Sequence, residues 1–253
     1  EKAEALMESS DWKKAIKALK KYRKKYAKSE EERAEVEALI LRAEGEKEFA
    51  EIDKKYRKSS RIKSAVKGIK KFMAKYKEDD ELLQRSEQFY EALRSQYVAV
   101  ITDFEVDDWP ETDDGMVPED GEGMVRHGLQ SARWKTGIGD RWVHVIPEVQ
   151  DWTPYTYFCF WIYSAEKPRR PGYIFIRPGS AGSLWEHHFE YLFPVDFKGW
   201  REVKIEFKGK KGFGRTGQAN WSAIEEVQFH HPGESGIAID VVIDDVRLEK
   251  AVR

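Results

Sequence analysis

The sequence predicts two folds in one chain, α-helical hairpin repeats over residues 1–96 and an antiparallel β-sandwich over residues 97–253. Three observations predict it. The composition breaks near residue 96: all nine prolines follow that point, as do all tryptophans but Trp12 and all glycines but Gly45 and Gly68. The charge changes sign there, from 26 Lys+Arg against 20 Asp+Glu before the break to 18 against 26 after it. The apolar period changes as well, from helical spacing to alternation. A length of 253 residues suits two modest domains.

The first part is rich in good helix formers and free of proline. Trp12, Ala15, Ile16, Leu19, Tyr22 and Tyr26 recur at helical spacing, and Asp11 is placed to cap the helix they define. A long helix from about Glu30 to Lys58 follows. A shift of 50 positions carries the first set onto Ile62, Ala65, Val66, Ile69, Phe72 and Tyr76, and carries Leu39, Ile40 and Ala43 onto Phe89, Tyr90 and Leu93. A helical hairpin is therefore repeated. The stretch "DWKKAIKALKKYRKKYAKSEEERAEV" resembles tetratricopeptide-type repeats, although 50 residues is longer than the roughly 34 of that family. The resemblance implies a protein partner held by the helical repeats; the plainer role is a spacer. The lysine-rich faces read as solvated surface. The formal net charge of −2 argues against a nucleic-acid binder.

From Val98 onward nine short runs alternate or stay apolar: "VAVITDFEV", "LQSARWKT", "RWVHVI", "YTYFCFWIY", "GYIFIRP", "HHFEYLF", "REVKIEF", "IEEVQFH" and "IAIDVVIDDVRL". Gly, Pro and Asp separate them, as expected of two antiparallel sheets with one buried face each. Phe158, Phe160 and Ile162 point to the core, which leaves Cys159, Trp161 and Tyr163 on the opposite face. Trp134, Trp152, Trp200 and Trp221 read as packing residues.

Several of these runs also carry a resemblance. "DFE", "HGLQSARW", "DWTPYTYFCFWIYS", "HFEYLFPVDFKGWREVKIEF" and "IDDVRL" occur in the order seen in the N-terminal domain of chondroitin and heparin polysaccharide lyases, a galactose-binding-like jelly-roll, carbohydrate-binding domain. The lyase's catalytic module has no counterpart here. The resemblance implies an accessory sandwich, not an enzyme. It also implies a structural calcium ion held by Glu105 and Asp244, with backbone carbonyls near His127 and Gln130, since hard oxygen donors suit calcium. It further implies work outside the cytoplasm, whether periplasmic, cell-surface or secreted.

Other chemistries are thinly supported. A single cysteine, Cys159, rules out an internal disulfide framework. His187-His188 and His230-His231 are adjacent pairs, and adjacent residues on a strand face opposite ways, which is poor zinc geometry. There is no nucleophile elbow and no apolar run long enough for a membrane span.

The better candidate is a sheet face. Arg177, His188, Glu190, Gln228 and His230 are all out of phase with the core positions, as is Trp161. Together they would give a saccharide a ring to stack on and planar polar groups to read its hydroxyls. Arg177 would pair with a uronate or sulfate. Trp185, in a Gly/Ser-rich loop, is a separate candidate. The expected function is non-catalytic binding of an acidic polysaccharide. The alternatives are a scaffold subunit whose domains both contact proteins, and a fragment of a larger lyase.

Overall fold

The computed structural model describes residues 6–7, 9–59, 62–105, 116–137, 141–180, 184–209, 211–233 and 237–251. They form two compact units, one built on Glu1–Gln96 and the other on Tyr97–Ala251.

The described residues of the first unit include four helices: α1 (Trp12–Lys25), α2 (Glu30–Ser59), α3 (Ile62–Lys75) and α4 (Asp80–Arg94). The starts of α1, α2 and α4 are chemically marked. Asp11 accepts from the Lys14 amide at 3.4 Å, and Asp79 accepts from the Leu82 amide at 3.0 Å. At α2 the Ser29 hydroxyl accepts from the Glu32 amide at 3.1 Å, while the Glu32 carboxylate accepts from the Lys28 and Ser29 amides at 2.8 and 3.3 Å. That reciprocal pair satisfies amides the helix leaves unbonded. The first half of α2 packs Val36, Ile40 and Ala43 against Leu19 of α1. Its second half packs Phe49 and Ile52 against Ile69 and Phe72 of α3.

The second unit holds eleven strands: β1 (Val98–Thr102), β2 (Met116–Glu119), β3 (Ser131–Lys135), β4 (Arg141–Val145), β5 (Tyr157–Ser164), β6 (Gly172–Gly179), β7 (His188–Val195), β8 (Gly199–Glu206), β9 (Gly214–Thr216), β10 (Glu226–His231) and β11 (Asp240–Glu249). One sheet runs β2-β3-β11-β5-β8, with β1 also paired to β11; the other runs β4-β10-β6-β7-β9. This is the antiparallel sandwich that the alternation predicts. Two strands were not expected. β2 carries Pro118 and β9 has only three residues, and both lie at sheet edges, where proline and short strands are tolerated.

The core lies between the sheets. Phe158, Phe160 and Ile162 of β5 meet Ile174 and Ile176 of β6 and Val227 and Phe229 of β10, all at 0–1% exposure, with Trp134 and Trp152 fully buried beside them. Truncating one of these phenylalanines to Ala costs about 3–5 kcal/mol, because both the transfer energy and the cavity count. Trp221 stacks on Phe207 at 4.5 Å and packs against this core, whereas Trp200 lies on the outer side of the six-stranded sheet opposite Tyr163.

Two departures from regular strand shape the rest. The run "VAVITDFEV" leaves the sheet after Thr102; Phe104 takes a left-handed backbone (φ 60°) and is buried. Val106, its last residue, lies outside the described residues. In β11 the register slips between Asp244 and Arg247, with Asp245 at φ 49°. Val241 and Ile243 face the core before this bulge, and Val246 and Leu248 after it. The extra residue shifts the alternation by one.

Candidate functional site: the outer face of the five-stranded sheet

Side chains opposite the core on β4, β10, β6 and β7 line up in register. His144 lies across from Gln228, and Gln228 across from Arg177. Trp142, His230, Phe175 and Leu192 form the next row.

The first row is a directed chain of hydrogen bonds. Arg177 Nε donates to Glu190 at 2.7 Å, and Arg177 Nη1 donates to His230 Nδ1 at 3.0 Å and to Gln228 Oε1 at 3.5 Å. A guanidinium only donates, so His230 Nδ1 accepts and Gln228 turns its oxygen toward Arg177. The Gln228 amide nitrogen then faces His144 Nε2 at 3.4 Å, and His144 Nδ1 meets Glu226. Donors therefore run from Arg177 through Gln228 and His144 to Glu226. His188 Nε2 reaches Glu190 at 3.8 Å.

Aromatic rings cover this chain. The Arg177 guanidinium sits 4.7 Å from the Phe175 ring centre and 5.2 Å from that of Trp185. His230 stacks on Phe175 at 5.8 Å and lies 6.2 Å from Trp185 and 6.4 Å from Trp142. Trp185 itself is 64% exposed. The loop tryptophan and the sheet face thus form one surface.

The sequence-predicted set is only partly brought together. Arg177, His188, Glu190, Gln228 and His230 share this face, but Trp161 does not: it lies on β5, in the other sheet, opposite Asp244 and Glu202. Alternation gives the face of a residue's own sheet and is silent on which sheet its strand joins. A second correction concerns exposure. Gln228, His188 and His230 are buried, at 2%, 6% and 7%, rather than open to solvent. The row is close-packed, and Trp142, Phe175 and Trp185 flank His230. Four contributors were missed: Trp142, His144, Phe175 and Glu226. Alternation in "RWVHVI" and "GYIFIRP" would have found the first three, since Val143, Val145, Ile174 and Ile176 take the core.

The row sets one arginine against two carboxylates. Arg177 faces Glu190, and the far end terminates in the Glu226 carboxylate. No surplus positive charge remains for a uronate or sulfate at Arg177. Neither adjacent histidine pair forms a metal centre. His231 is fully buried and directs its two ring nitrogens at the Tyr173 and Ile237 carbonyls, at 2.9 and 2.7 Å, while the His187 ring accepts from the Gln218 amide at 3.2 Å.

Glu105 and Asp244, the acids expected to hold calcium, both bond the loop before β3. Glu105 accepts from the Leu129 and Gln130 amides at 2.6 and 3.2 Å, and Asp244 accepts from the Arg126 and His127 amides at 2.6 and 3.0 Å. The contacts at His127 and Gln130 are thus made by amide N–H groups, where the resemblance implied carbonyls: Asp244 ties the loop before β3 to β11, and Glu105 ties it to the segment after β1. Left-handed backbones at Phe104 and Asp245 adjoin the two acids, and strain of this kind persists only where surrounding structure enforces it. Asp244 Oδ1 is buried with no hydrogen-bond partner among the described residues. Burial pushes the Asp244 carboxyl up to about 6, against the opposing amide bonds. An unbonded buried carboxylate oxygen fits a hard cation. No group of three or more His, Cys, Asp and Glu is found among the described residues, so such an ion would draw its other ligands from the backbone.

No protein-family model matches the chain, and no curated protein does. Solved structures do resemble it. A family 11 carbohydrate-binding module from Clostridium thermocellum, in complex with a beta-1,3-1,4-mixed-linked tetrasaccharide, is 18% identical over 62% of this chain and 98% of its own, with a TM-score of 0.47. The family 11 module of a cellulosomal cellulase of Clostridium thermocellum is 17% identical over 62% and 96%, with a TM-score of 0.46. An agarase is 16% identical over 62% of this chain and 25% of its own, with a TM-score of 0.42.

Proposed function

We propose that the β unit binds a neutral polysaccharide on the outer face of its five-stranded sheet and does not cleave it. The observation that carries this reading is the row from Glu226 through His144, Gln228 and Arg177 to Glu190, bordered by Trp142, Phe175 and the exposed Trp185. The partly open members of the row, His144 and Glu190, are held where they can meet hydroxyls, and an aromatic ring takes the C–H face of a sugar. Arg177 is already paired with Glu190, and Glu226 adds a second carboxylate at the far end of the row, which favours a neutral polymer over an acidic one at this face. Glu190 and Glu226 are both engaged as hydrogen-bond acceptors, so neither is poised as a general acid.

In this reading Glu105 and Asp244 hold calcium as a clip for the fold, and the helical unit contacts a protein partner through its hairpins. A polysaccharide ligand sets the work outside the cytoplasm. Among the described residues no helix is long and apolar enough to cross a membrane.

The test is the whole chain applied to an array of neutral and acidic polysaccharides at two salt concentrations. Retention of a neutral polymer, little changed by salt, supports the reading. Retention of acidic polymers alone, abolished by salt, contradicts it.

A further inference from the structure

Trp161 is the residue that the face of the five-stranded sheet leaves over. On the outer side of the six-stranded sheet it lies under Arg126, whose guanidinium carbon is 4.4 Å from its ring centre and 5.7 Å from that of Trp200. Trp200 is fixed in turn: its Nε1 donates to the Gly123 carbonyl at 2.8 Å, and the Tyr163 ring lies 5.4 Å away. Both tryptophans are half-buried. The Arg126 main chain is tied down by its amide bond to Asp244.

The Arg126 side chain, by contrast, is exposed and makes no ion pair among the described residues. On the same side of the unit Arg133 is paired with Asp240 and Glu119, and Arg247 with Asp245, Glu202 and Glu249. Arg126 is therefore a positioned cation that no acid among the described residues pairs with. A guanidinium resting on an aromatic face is already partly dehydrated and keeps its N–H donors at its rim, where two oxygens of one anion can meet them. The half-exposed Trp200 ring beside it supplies an apolar surface for a sugar.

We propose that Arg126, Trp161 and Trp200 form a second binding site, on the sheet opposite the five-stranded one, for an acidic saccharide whose carboxylate or sulfate pairs with Arg126. This assignment does not depend on the neutral-glycan reading of the five-stranded face. It restores an acidic ligand to the protein at a different arginine.

The experiment titrates the full chain with tetragalacturonate and, separately, with a sulfated heparin-type disaccharide, by calorimetry and tryptophan fluorescence. Binding of at least one is expected, weakening as salt rises. Arg126→Ala should weaken it by about 10- to 100-fold with an unchanged melting temperature. Arg126→Lys should fall between, because an ammonium keeps the charge and loses the planar fork. Trp185→Ala, on the five-stranded face, should leave it unchanged. Which ligand responds identifies the anion. Binding equal to the parent in Arg126→Ala, as the lysine-rich helices alone would give, overturns the proposal. So does a parent that binds neither ligand.

Discussion

Arg177 and Glu190 face each other across β6 and β7, nitrogen to oxygen at 2.7 Å, with the arginine side chain only 11% exposed. The pair anchors the middle of the polar row. Arg177→Ala strands Glu190, Gln228 and His230 together, so a loss of about 1–3 kcal/mol in urea unfolding is expected. The double variant Arg177→Ala, Glu190→Gln should recover part of that loss, because it removes the stranded charge. A double variant no more stable than the single one would show that the pair is not coupled.

Asp244 gives a pH dependence. Its carboxyl is held up to about 6, by burial first, against a usual 3.8. A carboxyl whose folded value is raised holds its proton more tightly in the fold. Its stabilising contribution is full below about pH 4 and is lost as pH rises through about 6. In chelator-treated buffer, Asp244→Asn should therefore melt above the parent at pH 7.5 and level with it at pH 4. Added calcium should raise the parent's melting temperature at pH 7.5 and leave that of the Asn variant unmoved. A parent indifferent to both calcium and chelator would remove calcium from the account.

Gly128 tests the clip by another route. It sits at φ 71°, and a methyl group there would collide with the Glu105 carboxylate. Gly128→Ala is expected to cost on the order of 1–3 kcal/mol, through backbone strain and the displaced carboxylate. Thermal unfolding of that variant, with and without calcium, measures both. An unchanged melting temperature would mean that the loop is not held by Glu105.

Cys159 is fully buried on the outer side of β5, and burial, joined by the nearby Glu249 charge, pushes its thiol up to about 12. A thiol in that state is inert. The native protein at pH 8 should resist a thiol reagent that labels the urea-unfolded chain fully. Rapid native labelling would show that this side of β5 opens.

These residues also show how far the sequence reaches. Alternation assigned Phe158, Phe160 and Ile162 to the core and Trp161 to the reverse face, because a strand repeats every two residues. It assigned Arg177, Glu190 and Gln228 to outward positions on the same basis. It could not say that β5 joins one sheet while β6, β7 and β10 join the other, since sheet membership is decided by contacts far apart in the chain. The bulge at Asp245 was invisible for a related reason: two adjacent aspartates read as a polar break, and only the register between β11 and β5 shows the alternation shifting there. Trp185 read as a separate loop candidate because nothing local tells that its loop folds back over Arg177 and His230.

The five-stranded face, capped by Trp185, is expected to bind a neutral glycan. Calorimetric titration of the parent, Trp185→Ala and Trp161→Ala with a neutral oligosaccharide from the polymer retained on the array tests it most directly. Trp185 is 64% exposed, so its removal should leave the melting temperature unchanged. The account predicts at least a roughly 10-fold weaker affinity for Trp185→Ala, equivalent to about 1.4 kcal/mol, and parent-like affinity for Trp161→Ala on the opposite sheet. Parent-like affinity in Trp185→Ala, or a loss confined to Trp161→Ala, would contradict it.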